Sequence, residues 1–338
     1  MTKNRKAIVF GISLLLATLL LASCGGARTP EATATPTLTP LPPTPTPAPA
    51  EIIYVNAQPN TNDSVLQAVN DFASSNSLQV RSLSALSAAD VNAGSKIVVL
   101  ATLPADWSSI ASGAPATQFV LLGAANSSNL SNVSSIQAKP EDEAFMAGYL
   151  TMLIAIDWRA GALVTSDGPL GADYAEDFMN GAQFVCGKCN PQYAPITAFP
   201  TVSAEATSSG ADVWSNDATT MSQYWLSSLF VDPAAASTDV VTAINTRTIN
   251  AAGVYMISTS AAPNDGSITW TALLGADYAA SLQSLLPQLL AGQGNLNAGA
   301  TITLASFNPD VVSTAKQDLF KQVADSLAAG DIIPSTIR

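Results

Sequence analysis

Residues 141–184 read EDEAFMAGYLTMLIAIDWRAGALVTSDGPLGADYAEDFMNGAQF. Three acids open the stretch, where the positive end of a helix dipole favours them. The apolar pattern behind them predicts a helix over 141–156. A short apolar run over 162–165 then predicts a strand, and Asp167-Gly168 supplies a turn at its carboxyl end. A second helical period covers 174–185. Helix, strand, loop and helix in this order are the repeating unit of a parallel sheet with helices packed on its faces.

The same grammar extends in both directions. Strands are expected at 52–55, 78–83, 97–100, 119–122, 196–199, 229–231, 254–258, 269–274 and 301–304. Helices are expected at 63–73, 105–111, 221–227, 240–246, 279–290 and 313–329. Runs such as Ile97–Leu100 are apolar at every position, as in strands buried on both faces. The fold expected is α/β, with two doubly wound parallel-sheet lobes joined by a hinge. Lobe 1 takes 51–138 with part of 262–338, and lobe 2 takes 139–261. Parallel sheets place ligands at the carboxyl ends of their strands, so two facing lobes would form a cleft.

The first fifty residues are different. Lys3, Arg5 and Lys6 precede an apolar run over 7–21, and small residues lead into Cys24. This is the layout of a secretory signal, residues 1–23, with the cysteine where a lipobox places it. Cys24 is the expected lipidation site. Residues 28–50, RTPEATATPTLTPLPPTPTPAPA, have no apolar period, and proline removes backbone donors. They are expected to form a solvated tether, which makes the chain anchored to a membrane at the extracytoplasmic face and not spanning it.

Composition narrows the function. The 338 residues carry 13 Lys+Arg against 25 Asp+Glu, a formal charge of −12. That argues against nucleic acid, whose phosphates need clustered cations. With no histidine, Ser-His-Asp and Cys-His catalysis are excluded and the commonest metal ligand is missing. No phosphate-binding loop or nucleophile elbow is found, and no metal or other cofactor is implied; the expectation is a binding protein and not an enzyme. Cys186 and Cys189 form a C-x-x-C that lacks further zinc ligands and follows a helix instead of opening one. A local disulfide is expected there in an exported protein.

The stretch 141–184, with A-G-Y-L inside its first helix and N-G-A-Q-F closing its second, resembles the opening of the second lobe in type I periplasmic binding proteins. It is most similar to the basic membrane protein family, the PnrA-like nucleoside-binding lipoproteins. Ser306-Phe307-Asn308 and the helix after them resemble that family's closing elements. The resemblance implies a monomeric receptor that captures a small polar molecule, a nucleoside or similar, and delivers it to an ABC permease. A sensory or interaction lipoprotein with the same fold is the alternative. In the family, an Asn-Asp pair follows the first strand; Asn62 and Asp63 stand there, although either also suits a helix N-cap. Val65 and Leu66 occupy the neighbourhood of the family's base-stacking aromatic. Asp142, at a helix start, and Phe145, a candidate stacking ring or core residue, complete the second-lobe candidates with Asp167, Asp232 and Asp265 at strand ends. Trp214 and Trp225 are further aromatics able to replace the missing ring.

Overall fold

The computed structural model describes residues 48–58, 63–263 and 265–336. Cys24, the signal, nearly all of the tether and Asn62 lie outside the described residues. The first part of the fold runs β1 (Glu51–Val55), α1 (Ser64–Ser75), β2 (Gln79–Leu83), β3 (Ser95–Leu100), α2 (Trp107–Gly113), β4 (Gln118–Leu122) and β5 (Val133–Ala138). Next come α3 (Pro140–Ile154), β6 (Ala160–Thr165), α4 (Asp173–Cys186), β7 (Thr201–Glu205), α5 (Ala211–Ser222), β8 (Ser228–Val231), α6 (Thr238–Ile244) and β9 (Tyr255–Thr259). The chain ends with β10 (Ala272–Asp277), α7 (Ala279–Leu290), β11 (Asn297–Phe307) and α8 (Thr314–Ala329).

The strands hydrogen-bond in the order β2-β1-β3-β4-β5-β11-β10-β9-β8-β6-β7. All pairs are parallel except β10 with β11. The expected α/β class holds, with both halves doubly wound. In the N-terminal half, α1 and α7 cover one face through Val65, Val69, Leu282 and Leu286, and α2 covers the other through Trp107 and Ile110. In the C-terminal half, α3, α4 and α8 pack on one face, and α5 and α6 on the other. Of residues 262–338, α7 and the start of β11 therefore join the N-terminal half, whereas β10 and α8 pack with the C-terminal half.

The helix pair α3–α4 is unusually close. A Cβ on Gly148 would lie 1.9 Å from the Phe178 carbonyl oxygen, and one on Gly181 would lie 1.9 Å from that of Phe145. Only glycine permits this approach, which buries α3 on nearly every side.

Three local expectations differ from the fold. The strand expected at 196–199 is loop, because Pro195 and Pro200 bracket it and deny ladder donors; β7 begins just after them. The helix expected at 221–227 ends at Ser222 and extends back to Ala211 instead. Strand β5 carries Ser134 and Ser135 between its apolar ends, so it lacks the apolar signature by which the other central strands are recognised.

Candidate functional site: the junction between the two half-sheets

Strand β11 fixes how the halves face each other. Residues 297–300 run parallel to β5, and residues 301–307 run antiparallel to β10. The carboxyl edges of β1, β3, β4 and β5 therefore point toward the carboxyl edges of β6, β8, β9 and β10. The chain crosses this junction three times: between β5 and α3, between β10 and α7, and within β11 at Ala300–Thr301. The second crossing falls at 277–279 and not at the expected 261/262, because β10 first adds to β9.

Four side chains converge there from separate elements. Glu143 stands in the first turn of α3 and is half-buried. Asp232 follows β8; its Oδ2 accepts from Thr165 Oγ1 at 3.2 Å, and its Oδ1 accepts from Ala234 N at 2.9 Å. Tyr174 opens α4, is 7% exposed, and stacks on Phe230 of β8 with centroids 6.3 Å apart. Tyr278 immediately precedes α7. Its hydroxyl closes on Gly123, beyond β4, where a Cβ would lie 2.9 Å from the phenol oxygen; at φ +75° the site favours glycine on conformational grounds as well.

The electrostatics tie these groups together. Burial, then the Asp232 charge, pushes the Glu143 carboxyl above the ordinary range. Burial, then Glu143 and Asp232, raises the Tyr174 phenol well above its usual value. Burial, then Glu143, raises Tyr278. Among the described residues the side chains of Glu143 and Tyr174 have no hydrogen-bond partner, and no lysine or arginine pairs with Glu143 or Asp232. No group of three His, Cys, Asp or Glu side chains suited to a metal ion occurs among them.

Of the residues expected from sequence, Asp232 lies in this cluster. Asp63 lies at the carboxyl edge of β1, but its oxygens are used internally: Oδ1 caps α1 by accepting from Leu66 N at 3.0 Å, and Oδ2 accepts from Tyr54 Oη at 2.5 Å and Asn56 Nδ2 at 3.1 Å. Asp142 is buried in the first turn of α3, and its charge acts on a buried acid of α4, Asp177. Asp177 is raised to about 6 by burial, then by Glu141, Asp173, Glu176 and Asp142. Asp167 braces the loop after β7, accepting from Thr207 N at 2.7 Å and Thr207 Oγ1 at 2.6 Å. Asp265 is exposed and accepts from Ser267 N at 2.9 Å; Ser267 lines a hollow with Gly253 and Val254, at the amino end of β9 and away from the junction. Phe145 and Trp214 are core residues at 0% and 1% exposure, because the tight α3–α4 pair and the α5 packing enclose them. Trp225 precedes β8, at the far end of its strand. The aromatic surface at the junction belongs to Tyr174 and Tyr278. Their one signal in the sequence is position, an aromatic at the first turn of a helix that follows a strand.

Cys186 and Cys189 are joined by a disulfide just past α4, with Cα atoms 5.2 Å apart. It borders a loop held from below by Arg159, which is 1% exposed. The guanidinium donates to the carbonyls of Tyr193, Pro195 and Tyr224, pairs with Asp157 at 3.4 Å and lies 5.9 Å from the Phe199 ring centroid.

No protein-family model matches the chain, and no curated protein matches it. Solved structures do. An ABC transporter solute-binding protein from Conexibacter woesei aligns over 84% of this chain and 98% of its own, at 16% identity and a TM-score of 0.53. A transcriptional activator of the comK gene from Bacillus halodurans aligns over 84% and 100%, at 10% identity and 0.50. A sugar-binding protein of a sugar ABC transporter, also from Bacillus halodurans, aligns over 76% and 96%, at 13% identity and 0.48. At such identities the likeness defines the fold: that of the periplasmic-binding-protein-like solute-binding proteins, a framework also found in a regulator of transcription.

Proposed function

We propose that this chain is a solute-binding lipoprotein of the basic membrane protein type, which captures a small polar ligand, nucleoside-like in size, between its halves and presents it to an ABC permease. The observation that carries this reading is the convergence of Glu143, Asp232, Tyr174 and Tyr278 at a junction that the chain crosses three times. Polar groups at facing strand edges, two of them, Glu143 and Tyr174, without partners among the described residues, are what a binding cleft offers a solute. Binding is by closure of the halves, with no bond chemistry. Cys24 carries the lipid, and the proline-rich segment holds the folded part at the extracytoplasmic face.

A thermal-shift screen over nucleosides, free bases, sugars and amino acids tests the receptor reading. A ligand at a hundred times its dissociation constant adds about 2.7 kcal/mol of stability, a readily measured shift. A nucleoside response supports the whole proposal; a response to sugars or amino acids alone removes the nucleoside class. Silence across the screen favours the sensory or interaction reading. Cys24→Ser tests the anchor separately, by accumulating uncleaved precursor or releasing the protein from membranes.

A further inference from the structure

The junction has more negative charge than its own structure can use. Glu143 and Asp232 stand on different elements, α3 and the loop after β8, yet the Asp232 charge is near enough to add to the cost of ionising Glu143. Asp232 is held by Thr165 and by Ala234 N, so its carboxylate cannot swing away. Glu143 has no partner among the described residues. A second and independent feature points into the same space. The Tyr174 residue is more than nine-tenths buried, its ring stacks on Phe230 two positions before Asp232, and its phenol feels the charges of both carboxylates without a hydrogen bond among the described residues. Tyr278 brings another phenol from the opposite half.

Resting on the solute-binding reading, we infer that the ligand carries a cationic nitrogen, a protonated amine or a quaternised ring nitrogen, received by Glu143 and Asp232 and flanked by Tyr174 and Tyr278. A cation offsets the burden that burial and the Asp232 charge place on an ionised Glu143, and tyrosine faces and phenol oxygens are favourable neighbours for it. An anionic ligand would meet two carboxylates with no compensating lysine or arginine. A neutral polyol would supply hydroxyl donors but leave the charge pair uncompensated in a half-buried site. No group of three His, Cys, Asp or Glu side chains suited to a metal ion occurs among the described residues, so magnesium and calcium chloride join the test as a further arm, and a larger shift by either metal than by every amine would overturn the inference.

The test uses matched pairs that differ in charge and little in shape: 1-methyladenosine against adenosine, and choline against 3,3-dimethyl-1-butanol. Putrescine and spermidine join the cationic arm, and glucose the neutral one. Thermal shift and calorimetry are read on the intact chain at neutral pH. The expected result is that a cationic member binds at least tenfold more tightly than its neutral counterpart. Glu143→Gln should erase that preference while the protein still melts cooperatively. Asp232→Asn should weaken it less, because Thr165 and Ala234 also hold that side chain. If neutral members shift the melting temperature and cationic ones do not, the charge inference falls and the solute receptor stands. If Glu143→Gln binds the cation as well as the parent, the assignment of the site falls. If no member of either arm shifts the melting temperature, both readings fall.

Discussion

The two ends of the C-terminal half hold their charged groups differently. At the far end, beneath the disulfide loop, Arg159 is almost wholly enclosed, and its two terminal nitrogens donate to three carbonyls while Nε makes only an ion pair with Asp157. At the junction end, Glu143 and Tyr174 sit in partial or full burial with no internal partner among the described residues. Unpartnered buried groups cost stability, so a fold keeps few of them without a use. Burial without a partner is not confined to the junction, since Arg159 Nε, Thr201 Oγ1 and Asn250 Nδ2 share it; what sets the junction apart is that its unpartnered groups include a carboxylate beside a second acid.

The comparison breaks most directly at Arg159. Arg159→Met should cost about 3–5 kcal/mol, because it strands Asp157 and three loop carbonyls. Urea unfolding would measure it, and a loss under 1 kcal/mol would mean that the far end is not held by this side chain. The next effect in size is at the helix pair that supports the junction. Gly148→Ala forces α3 away from the Phe178 carbonyl and should cost about 1–3 kcal/mol, read as a lower melting temperature.

Asp177 sharpens the comparison through pH. Its native carboxyl holds a proton up to about pH 6, against an ordinary value of 3.8. The native state thus binds more protons than the unfolded chain between these values, and stability falls as pH rises through them. Asp177→Asn should gain about 1–2 kcal/mol at pH 7.5 and nothing at pH 3. An equal gain at both pH values would show that the cost of ionising a buried carboxyl is not the cause. Glu143→Gln is the smallest expected effect on folding, a gain of up to about 1 kcal/mol at pH 7.5, coupled to loss of ligand binding. A loss of stability there would mean that Glu143 is a structural partner and the comparison fails.

How much of this was legible in the sequence depended on whether a residue type had one use or several. Unbroken apolar runs such as Ile97–Leu100 have one good solution, a strand buried on both faces, and β3 forms there. Strand β5 escaped because its two serines hide it, and β7 because prolines displaced it. Aspartates at strand ends were the ambiguous case. A carboxylate can receive a ligand or fold back on neighbouring amides and hydroxyls, and composition does not say which. Asp63 and Asp265 accept from the backbone within three residues, and Asp167 from Thr207 of the next loop. Asp232 shares that habit but also faces Glu143. Tyr174 and Tyr278 are far from each other in sequence, and only the topology places both beside Glu143.

Strand β11 has a mechanical consequence. Its pairing passes from β5 at Ala300 to β10 at Thr301 with no unpaired residue between. Two bodies joined by loose linkers pivot as if on a pin, freely and without a preferred angle. Here one strand is clamped on each side of the gap, and the other two crossings run beside it. Such a joint is a flexure: it bends elastically by changing the twist between Gly299 and Thr301, resists in proportion to the angle, and springs back when the load is removed. The rest position of the halves is then set by the hydrogen-bonded sheet itself, and any solute that closed them would have to hold the spring bent.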